Sequence, residues 1–230
     1  PCIIGLCPMI SLDDTDCWLK YPKHRWVFNK LDVALRLNYD AGPACVPVNK
    51  SNNYVIRPTY NLYGMGIGAI VQYIDVEDND KIINNDIIPP GYFWCEYFEG
   101  DHCSIDYIYD NGRWKQFNII VGINSKNNLT KFEKWTRIDN NDIALPEFIH
   151  NISDVEYLNI ETKGDKIIEI HLRTGNDVLH DAEIGSSIIP LWRGDEHMID
   201  NTFIPNDQSE KLYNASGHLN DVRIGYIRET

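Results

Sequence analysis

The chain has 230 residues, a hydrophobic fraction of 43% and a formal net charge of −13, which suit one large or two small domains with a buried core. The acidic charge argues against a nucleic acid as the main partner, because phosphate backbones are bound by clustered lysine and arginine. The sequence has no apolar run of the roughly 20 residues that cross a membrane and no basic segment of a signal peptide at its start, so we expect a cytoplasmic protein that does not bind membranes.

The first part of the chain predicts a helix followed by strands. Apolar residues in "WVFNKLDVALRLNYDAG" recur at helical spacing, and this helix is expected to end at Gly42 and Pro43. A short strand is predicted in "ACVPV". Two more strands, "YVIRPTY" and "GAIVQYIDV", flank "NLYGMGIG", whose three glycines in five residues indicate a loop between paired strands.

The middle of the chain is apolar and aromatic in "GYFWCEYFEG" and then alternates in "HCSIDYIYDNGRWKQFNIIVGI". This alternation predicts two antiparallel strands joined at Asp110, Asn111 and Gly112. The stretch "LPEFIHNI" predicts a short helix that opens near Pro146. Charge, glycine and little periodicity predict that residues 177–230 form loops, one or two short helices and a terminal strand.

A hairpin, "YLNIETKGDKIIEIHLRTGND", carries polar residues where a buried strand would carry valine. Glu169 and His171 are two positions apart and therefore share a face of the second strand. A three-residue loop around Gly164 would put Asn159 opposite Glu169 and Glu161 on the diagonal, where long carboxylates can share a metal ion. A two-residue turn is the alternative and would bury the site. A Glu-x-His pair on a strand is compatible with metal ligands and also with an ordinary structural pair.

The order of these motifs resembles the ATP-grasp superfamily of carboxylate–amine and carboxylate–thiol ligases, over roughly residues 27 to 177. Arg57 and Pro58 precede the glycine loop where the family has Lys-Pro or Lys-Ala, and "EYFEGDHCSIDYIYDNG" resembles the family's nucleotide hinge and the strand after it. The stretch "IEIHLR" matches Glu-x-Asn-x-Arg, with His171 in place of the asparagine. The resemblance implies an α+β fold, ATP-grasp-like, in which two subdomains with antiparallel sheets, residues 1–92 and 93–230, clasp a nucleotide.

The resemblance also implies roles for individual residues. ATP would be bound by phosphate ligands, by the glycine loop, by the hinge and by residues near the ribose. These residues are Lys30, Arg57, Gly64, Gly66, Gly68, Glu96, Tyr97, Phe98 and His102. Arg57 and Arg173 would stabilise the transferred phosphoryl group and the acylphosphate. Glu161, Glu169 and His171 would hold Mg²⁺, or Mn²⁺, because imidazole is a softer ligand than an amide oxygen.

The implied reaction is an ATP-dependent ligation in which a small-molecule or peptide carboxylate is activated as an acylphosphate and attacked by an amine or another nucleophile. Little chain precedes the resemblance, where most family members carry an acceptor-binding domain. The acceptor would therefore bind to the tail, to Arg173 and Arg193, or to a partner chain, which a homo-oligomer could also supply. The departures at Arg57 and His171 favour an alternative, a catalytically reduced nucleotide-binding or scaffolding protein on the same fold. An unrelated β-rich binding protein is a third interpretation.

Overall fold

The computed structural model describes residues 12–62, 66–125, 128–139, 143–175, 179–180, 182–206, 211–213 and 219–229. The α-helices in this part of the chain are α1 (Asp14–Lys20), α2 (Lys30–Arg36), α3 (Asn79–Ile83) and α4 (Glu147–His150). The 3₁₀ helices are Pro22–Phe28, Val76–Asp78 and Glu196–Met198. The strands are β1 (Ala41–Pro43), β2 (Asn52–Pro58), β3 (Ile70–Ile74), β4 (Tyr92–Glu96), β5 (His102–Asp110), β6 (Arg113–Ser125), β7 (Asn128–Arg137), β8 (Tyr157–Lys163), β9 (Lys166–His171), β10 (Ser187–Trp192), β11 (Phe203–Pro205), β12 (Lys211–Tyr213) and β13 (Leu219–Glu229).

The strands form two antiparallel sheets, which confirms the α+β class predicted from the sequence. The first sheet has the order β1-β4-β2-β3, and the second has the order β11-β13-β10-β7-β6-β5-β8-β9, with β12 paired to β13. The chain passes from the first sheet to the second between Glu96 and His102, so β4 lies in the first sheet, beyond the expected division at residue 92. No helix among the described residues is long and apolar enough to cross a membrane.

Several predicted elements are confirmed. Strands β2 and β3 flank the glycine loop and pair with each other, and β5 and β6 form the predicted hairpin. Helix α4 begins after Pro146, as the proline indicated. These elements have local signals, namely turn residues and strict alternation, and their pairing is between neighbours in the chain.

Two boundaries in the first part of the chain were predicted wrongly. Helix α2 ends at Arg36, and Asn38 takes a left-handed φ of 58°, so the helix stops before Gly42. The following strand is β1 and not "ACVPV", because Cys45 has a φ of 69° and lies in a turn. Gly42 and Pro43 instead pair with Trp94 and Phe93 of β4.

The prediction for the tail was wrong in part: the terminal strand and a short 3₁₀ helix are present, but the region contributes four strands to the second sheet where mainly loops were expected. Strand β13 alone spans 11 residues and pairs with β10, β11 and β12. Gly225 is one reason why its pattern is weak in the sequence, since a Cβ at this position would come 2.3 Å from the carbonyl oxygen of Ile204. The strand therefore needs a glycine where a typical strand would show an apolar residue.

The register of the β8–β9 hairpin differs from the predicted one. Lys163 pairs with Lys166 across a two-residue turn, and Glu161 lies directly opposite Glu169, not on the diagonal. The register shifts between these pairs, because Ile168 is an extra residue on β9 and forms a β-bulge. The bulge reverses the alternation along β9, so the two-residue turn does not remove Glu169 from the polar face.

The main core packs on the other face of this hairpin. Ile160, Ile167 and Ile170 are at most 3% exposed and contact a cluster that includes Val27 and Phe28 of the first 3₁₀ helix. Burying a side chain of this kind contributes about 1.5–3 kcal/mol. Apolar packing thus fixes the orientation of the hairpin, and its opposite face is left to polar side chains.

A buried network on the polar face joins the second sheet to the segment after β9. Asp106 of β5 is 1% exposed. Its Oδ1 accepts hydrogen bonds from Asn159 Nδ2 at 2.8 Å and from the Gly175 amide at 2.7 Å. Its Oδ2 accepts from Asn118 Nδ2 and contacts His180 Nε2, both at 2.9 Å. One carboxylate therefore connects β5, β6 and β8 to Gly175 and His180.

We expect Asp106→Ala to lower the free energy of unfolding by roughly 3–5 kcal/mol, because it leaves buried donors without their acceptor. Urea denaturation would measure the change. The control is Asp110→Ala at the end of the same strand, where the carboxylate is 43% exposed and pairs with Lys115, and a loss of at most about 1 kcal/mol is expected. Equal losses in the two variants would show that the network does not stabilise the fold.

Candidate functional site

Three polar side chains meet on the β8–β9 hairpin. Glu161, Glu169 and His171 each offer a ligand atom, and these atoms all lie within 4.8 Å of one another. Nε2 of His171 is 3.5 Å from an oxygen of Glu161 and 3.5 Å from an oxygen of Glu169. The structure thus brings together the three residues that the sequence assigned to a metal site.

The other nitrogen of His171 contacts Asp14, a residue that the sequence analysis missed. Asp14 is the first residue of α1 and is 2% exposed, and its oxygens lie 2.9 and 3.1 Å from His171 Nδ1. It is separated from His171 by 157 positions in the sequence. Its only local signal is the "DDTD" pattern of a helix start, in which Asp13 caps α1 through the Asp16 amide.

Two cations reach Glu169 from outside the second sheet. Lys30, the first residue of α2, forms an ion pair with Glu169, and Nη1 of Arg57 lies 3.0 Å from the same carboxylate. Nη2 of Arg57 donates to the carbonyl oxygen of Ile168 at 2.9 Å. Both cations are mostly buried, with side chains 9% and 12% exposed. The predicted phosphate-binding cations therefore lie beside the predicted metal ligands.

Local structure explains how Lys30 is placed. Asn29 is the N-cap of α2, since its side chain accepts a hydrogen bond from the Asp32 amide at 3.0 Å. The Lys30 amide donates to the carbonyl oxygen of Thr59 at 2.9 Å. Helix α2 is thus attached to the end of β2, and its first side chain lines a small cavity together with Asp14, Asn61, Glu169 and His171.

Two predicted residues have contacts that differ from their expected roles. Arg173 donates from Nε to Asp14 at 2.8 Å and from Nη1 to the carbonyl oxygen of Thr174 at 2.9 Å. His102, expected near a ribose, has its Nε2 3.3 Å from Glu161, and its ring packs on Phe132 with a centroid distance of 4.9 Å. His102 therefore contacts one of the predicted metal ligands, and Arg173 contacts a neighbour of another, His171.

The predicted hinge residues lie in the segment that connects the two sheets. The Glu96 carboxylate accepts from the Asp40 amide at 3.0 Å, and the Tyr97 amide donates to the carbonyl oxygen of Asn53 at 3.1 Å. Phe98 packs edge-on against Tyr39 with a centroid distance of 4.7 Å. These contacts hold the segment to the first sheet.

The glycine loop is described in part. Gly64 lies outside the described residues. Gly66 and Gly68 have φ values of 57° and 72°, a conformation that favours glycine. A Cβ at Gly68 would come 2.6 Å from the hydroxyl oxygen of Tyr92, so this position also lacks space for a side chain.

Burial and ion pairing shift the pKa values of Glu169 and Glu161 in opposite directions. Burial alone would raise the pKa of Glu169, but Lys30, His171 and Arg57 lower this pKa well below its usual value. Burial would likewise raise the pKa of Glu161, but His102 and His171 lower it to about 2, against the repulsion of Glu169. Both carboxyl groups are therefore ionised at neutral pH.

Burial and ion pairing also shift the pKa values of Asp14 and His171 in opposite directions. Burial would raise the pKa of Asp14, but His171 and Arg173 lower it below its usual range. Burial would lower the pKa of His171, but Asp14 and Glu161 raise it well above 6.5 against the effect of Arg173. In the absence of a metal ion, His171 is therefore protonated and carries a positive charge between two glutamates.

This donor set fits a divalent cation. His171 Nε2 is buried and makes no well-formed hydrogen bond to any described residue, although one oxygen of each glutamate lies 3.5 Å away. Metal-ligating histidines characteristically donate their other ring N–H to a carboxylate, as His171 does to Asp14. Two carboxylates suit Mg²⁺, and the imidazole nitrogen is more compatible with Mn²⁺.

Comparisons with known proteins agree with this fold. No protein-family model and no curated protein sequence matches the chain. An L-amino acid ligase from Bacillus licheniformis matches in structure with a TM-score of 0.52 and 11% identity over 88% of this chain. N5-carboxyaminoimidazole synthetase from Staphylococcus aureus matches with a TM-score of 0.51 and 9% identity, also over 88% of this chain.

Both solved structures are of ATP-grasp ligases, and this chain spans 66% of the length of each. At this level of identity the likeness defines the fold. The chain has the ATP-grasp fold, with two antiparallel sheets and the candidate site on a hairpin of the second sheet.

The raised pKa of His171 predicts a pH dependence of stability in metal-free protein. Such a group stabilises the fold fully below its unfolded pKa of about 6.5, and this contribution is lost as the pH rises through the folded pKa. The free energy of unfolding should therefore fall by up to about 1.4 kcal/mol per pH unit above pH ~6.5. Urea denaturation in EDTA should show this fall in wild-type protein and in His197→Asn, an exposed control, but not in His171→Asn. Parallel pH profiles for all three proteins would contradict the assignment.

Proposed function

We propose that this protein is an ATP-dependent ligase that activates a carboxylate as an acylphosphate for attack by an amine or another nucleophile. The observation that carries the proposal is the meeting of two carboxylates and a buried imidazole nitrogen on one hairpin with two cations from α2 and β2. The ATP-grasp fold supports the proposal, because the reaction of ATP-grasp ligases needs a divalent ion, a triphosphate and cations in one place. ATP is the proposed substrate, with Mg²⁺ or Mn²⁺ as the metal ion.

Lys30 and Arg57 would bind phosphate oxygens. In the unliganded protein their charges are directed at Glu169, and a triphosphate offers the same kind of anionic partner. The donor fork of Arg57 suits phosphate oxygens as well as carboxylates. These two residues would lower the repulsion between the triphosphate and the incoming carboxylate, which is the main barrier to attack on the γ-phosphorus.

Glu161, Glu169 and His171 would hold the divalent ion. When bound, this ion neutralises phosphate charge and aligns the triphosphate for in-line transfer. His102, at 3.3 Å from Glu161, would orient that carboxylate. In the balanced reaction, the substrate carboxylate oxygen bonds to the γ-phosphorus with release of ADP, and the nucleophile then displaces phosphate from the acyl carbon and loses a proton.

The contacts of Arg173 support a second candidate function. The resemblance assigns this arginine to the acylphosphate, but its guanidinium binds Asp14 and the Thr174 carbonyl. A protein that binds nucleotide for scaffolding and has reduced catalysis would need no free arginine there. Phosphate release and trapping of an acylphosphate as a hydroxamate with hydroxylamine, over a panel of carboxylates, would distinguish the two candidates.

We predict that ATP with Mg²⁺ or Mn²⁺ raises the melting temperature, because a ligand that binds the native state alone stabilises it by about 2.7 kcal/mol at 100 times its Kd. Glu169→Gln should abolish the metal-dependent part of this shift and reduce phosphate release at least roughly tenfold, because it removes a charged ligand while keeping the shape. Glu133→Gln, an exposed glutamate on β7, is the control and should match wild type. No shift at millimolar ATP with either metal would refute nucleotide binding.

We predict that His171→Asn retains activity with Mg²⁺ and lowers the preference for Mn²⁺, because an amide oxygen replaces the softer imidazole nitrogen. The ratio of phosphate release in Mn²⁺ to that in Mg²⁺ would measure the effect. Loss of activity with an unchanged ratio would mean that His171 acts on substrate and is not a metal ligand.

A further inference from the structure

We propose that Asp14 is the positioning residue of the metal site: its carboxylate binds Nδ1 of His171 and so directs Nε2 toward Glu161 and Glu169. This inference rests on the metal role proposed above for those three residues. It extends the site to helix α1, which carries none of the residues expected from the sequence to bind metal or nucleotide.

The geometry leaves His171 one available nitrogen. Nδ1 faces both oxygens of Asp14 at 2.9 and 3.1 Å, and this carboxylate, which is paired with Arg173, accepts hydrogen bonds. Nδ1 therefore carries a proton, and Nε2 faces the two glutamates. The Nε2 lone pair of a neutral imidazole would point at two anions, so that a proton or a metal ion is needed between them.

Asp14 is itself held rigidly. The Asp13 cap fixes the start of α1, and the Cys17 thiol donates to the carbonyl oxygen of Leu172 at 3.2 Å, next to His171 in the chain. Arg173 binds Asp14 through Nε at 2.8 Å and Nη2 at 3.2 Å. The arginine thus compensates the buried charge of Asp14 and leaves one direction of the carboxylate for His171.

A purely structural role would also explain an Asp14–Arg173 ion pair. It would leave the buried Nε2 of His171 3.5 Å from one oxygen of each glutamate, with no well-formed hydrogen bond to any described residue. A buried nitrogen that is held only by such loose ion pairs is unfavourable, and a carboxylate–histidine–metal arrangement would give it a closer partner. The position of Nε2 therefore favours the positioning role.

The test uses Mn²⁺ as the probe, in the full chain with saturating ADP. Electron paramagnetic resonance would measure the Mn²⁺ affinity, and electron spin echo modulation would detect the coupling of an imidazole nitrogen to the ion. We expect this coupling in wild-type protein and none in His171→Asn. In Asp14→Asn we expect about 10–100-fold weaker Mn²⁺ binding and a reduced nitrogen coupling, because an amide can accept or donate and does not fix the tautomer.

Asp154→Asn is the matched control. Asp154 forms a carboxylate–histidine pair with His24, outside the proposed site. This variant should bind Mn²⁺ like wild type and keep the nitrogen coupling. Thermal unfolding would show whether each variant is folded under the conditions of the Mn²⁺ measurements.

The outcomes separate this inference from the proposed function. Suppose that wild type shows nitrogen coupling and that Asp14→Asn matches wild type in both Mn²⁺ affinity and coupling. This result would overturn the role of Asp14 but would not contradict the proposed metal ligands. Absence of nitrogen coupling in wild type would overturn the ligand assignment of His171 and the inference with it. If Asp14→Asn does not fold, ¹⁵N NMR of wild type with Mg²⁺ and ADP decides: a proton on Nδ1 of His171 supports the proposal, and a proton on Nε2 overturns it.

Discussion

The candidate site depends on a single extra residue in β9. A regular strand would place Ile167 and Glu169 on the same face, because side chains alternate with a period of two. The bulge at Ile168 allows Ile167 and Ile170 to face the apolar core while Glu169 and His171 face the opposite side. It also leaves the Ile168 carbonyl oxygen to accept from Arg57 of the first sheet. One local irregularity thus keeps the core intact, aligns the proposed metal ligands and connects the two sheets.

Electrostatic repulsion between Glu161 and Glu169 destabilises this arrangement. Two glutamates directly opposite each other on paired strands repel, and this contact alone destabilises a hairpin. Lys30, Arg57 and protonated His171 offset the repulsion, but partly buried ion networks seldom stabilise a fold as much as apolar side chains would. Stability therefore does not explain why acids occupy this face. The proposed divalent ion between them would explain it, because such an ion turns repelling groups into ligands.

The sequence predicted what is encoded locally and missed what depends on distant partners. The polar face of the hairpin could be predicted from alternation, and Lys30 and Arg57 from the order of motifs. The register could not, because the bulge is accompanied by a contact from Arg57, 111 positions away. Asp14 was missed for the same reason, since nothing in "DDTD" refers to His171. The tail strands have weak periodicity and pair with partners distant in the chain, since β10 pairs with β7 and β13 pairs with β10.

The presence of arginine at position 57, where the resemblance expects lysine, follows from the bulge. An ammonium group is a point charge, whereas a guanidinium can bind two acceptors in fixed directions. Arg57 uses one nitrogen for Glu169 and the other for the Ile168 carbonyl, and the Phe93 ring lies 5.4 Å from its centre. A lysine would reach the carboxylate but would not hold the bulge at the same time. The departure at this position and the shifted register are therefore linked, because the cation proposed to bind phosphate also maintains the strand that carries the proposed metal ligands.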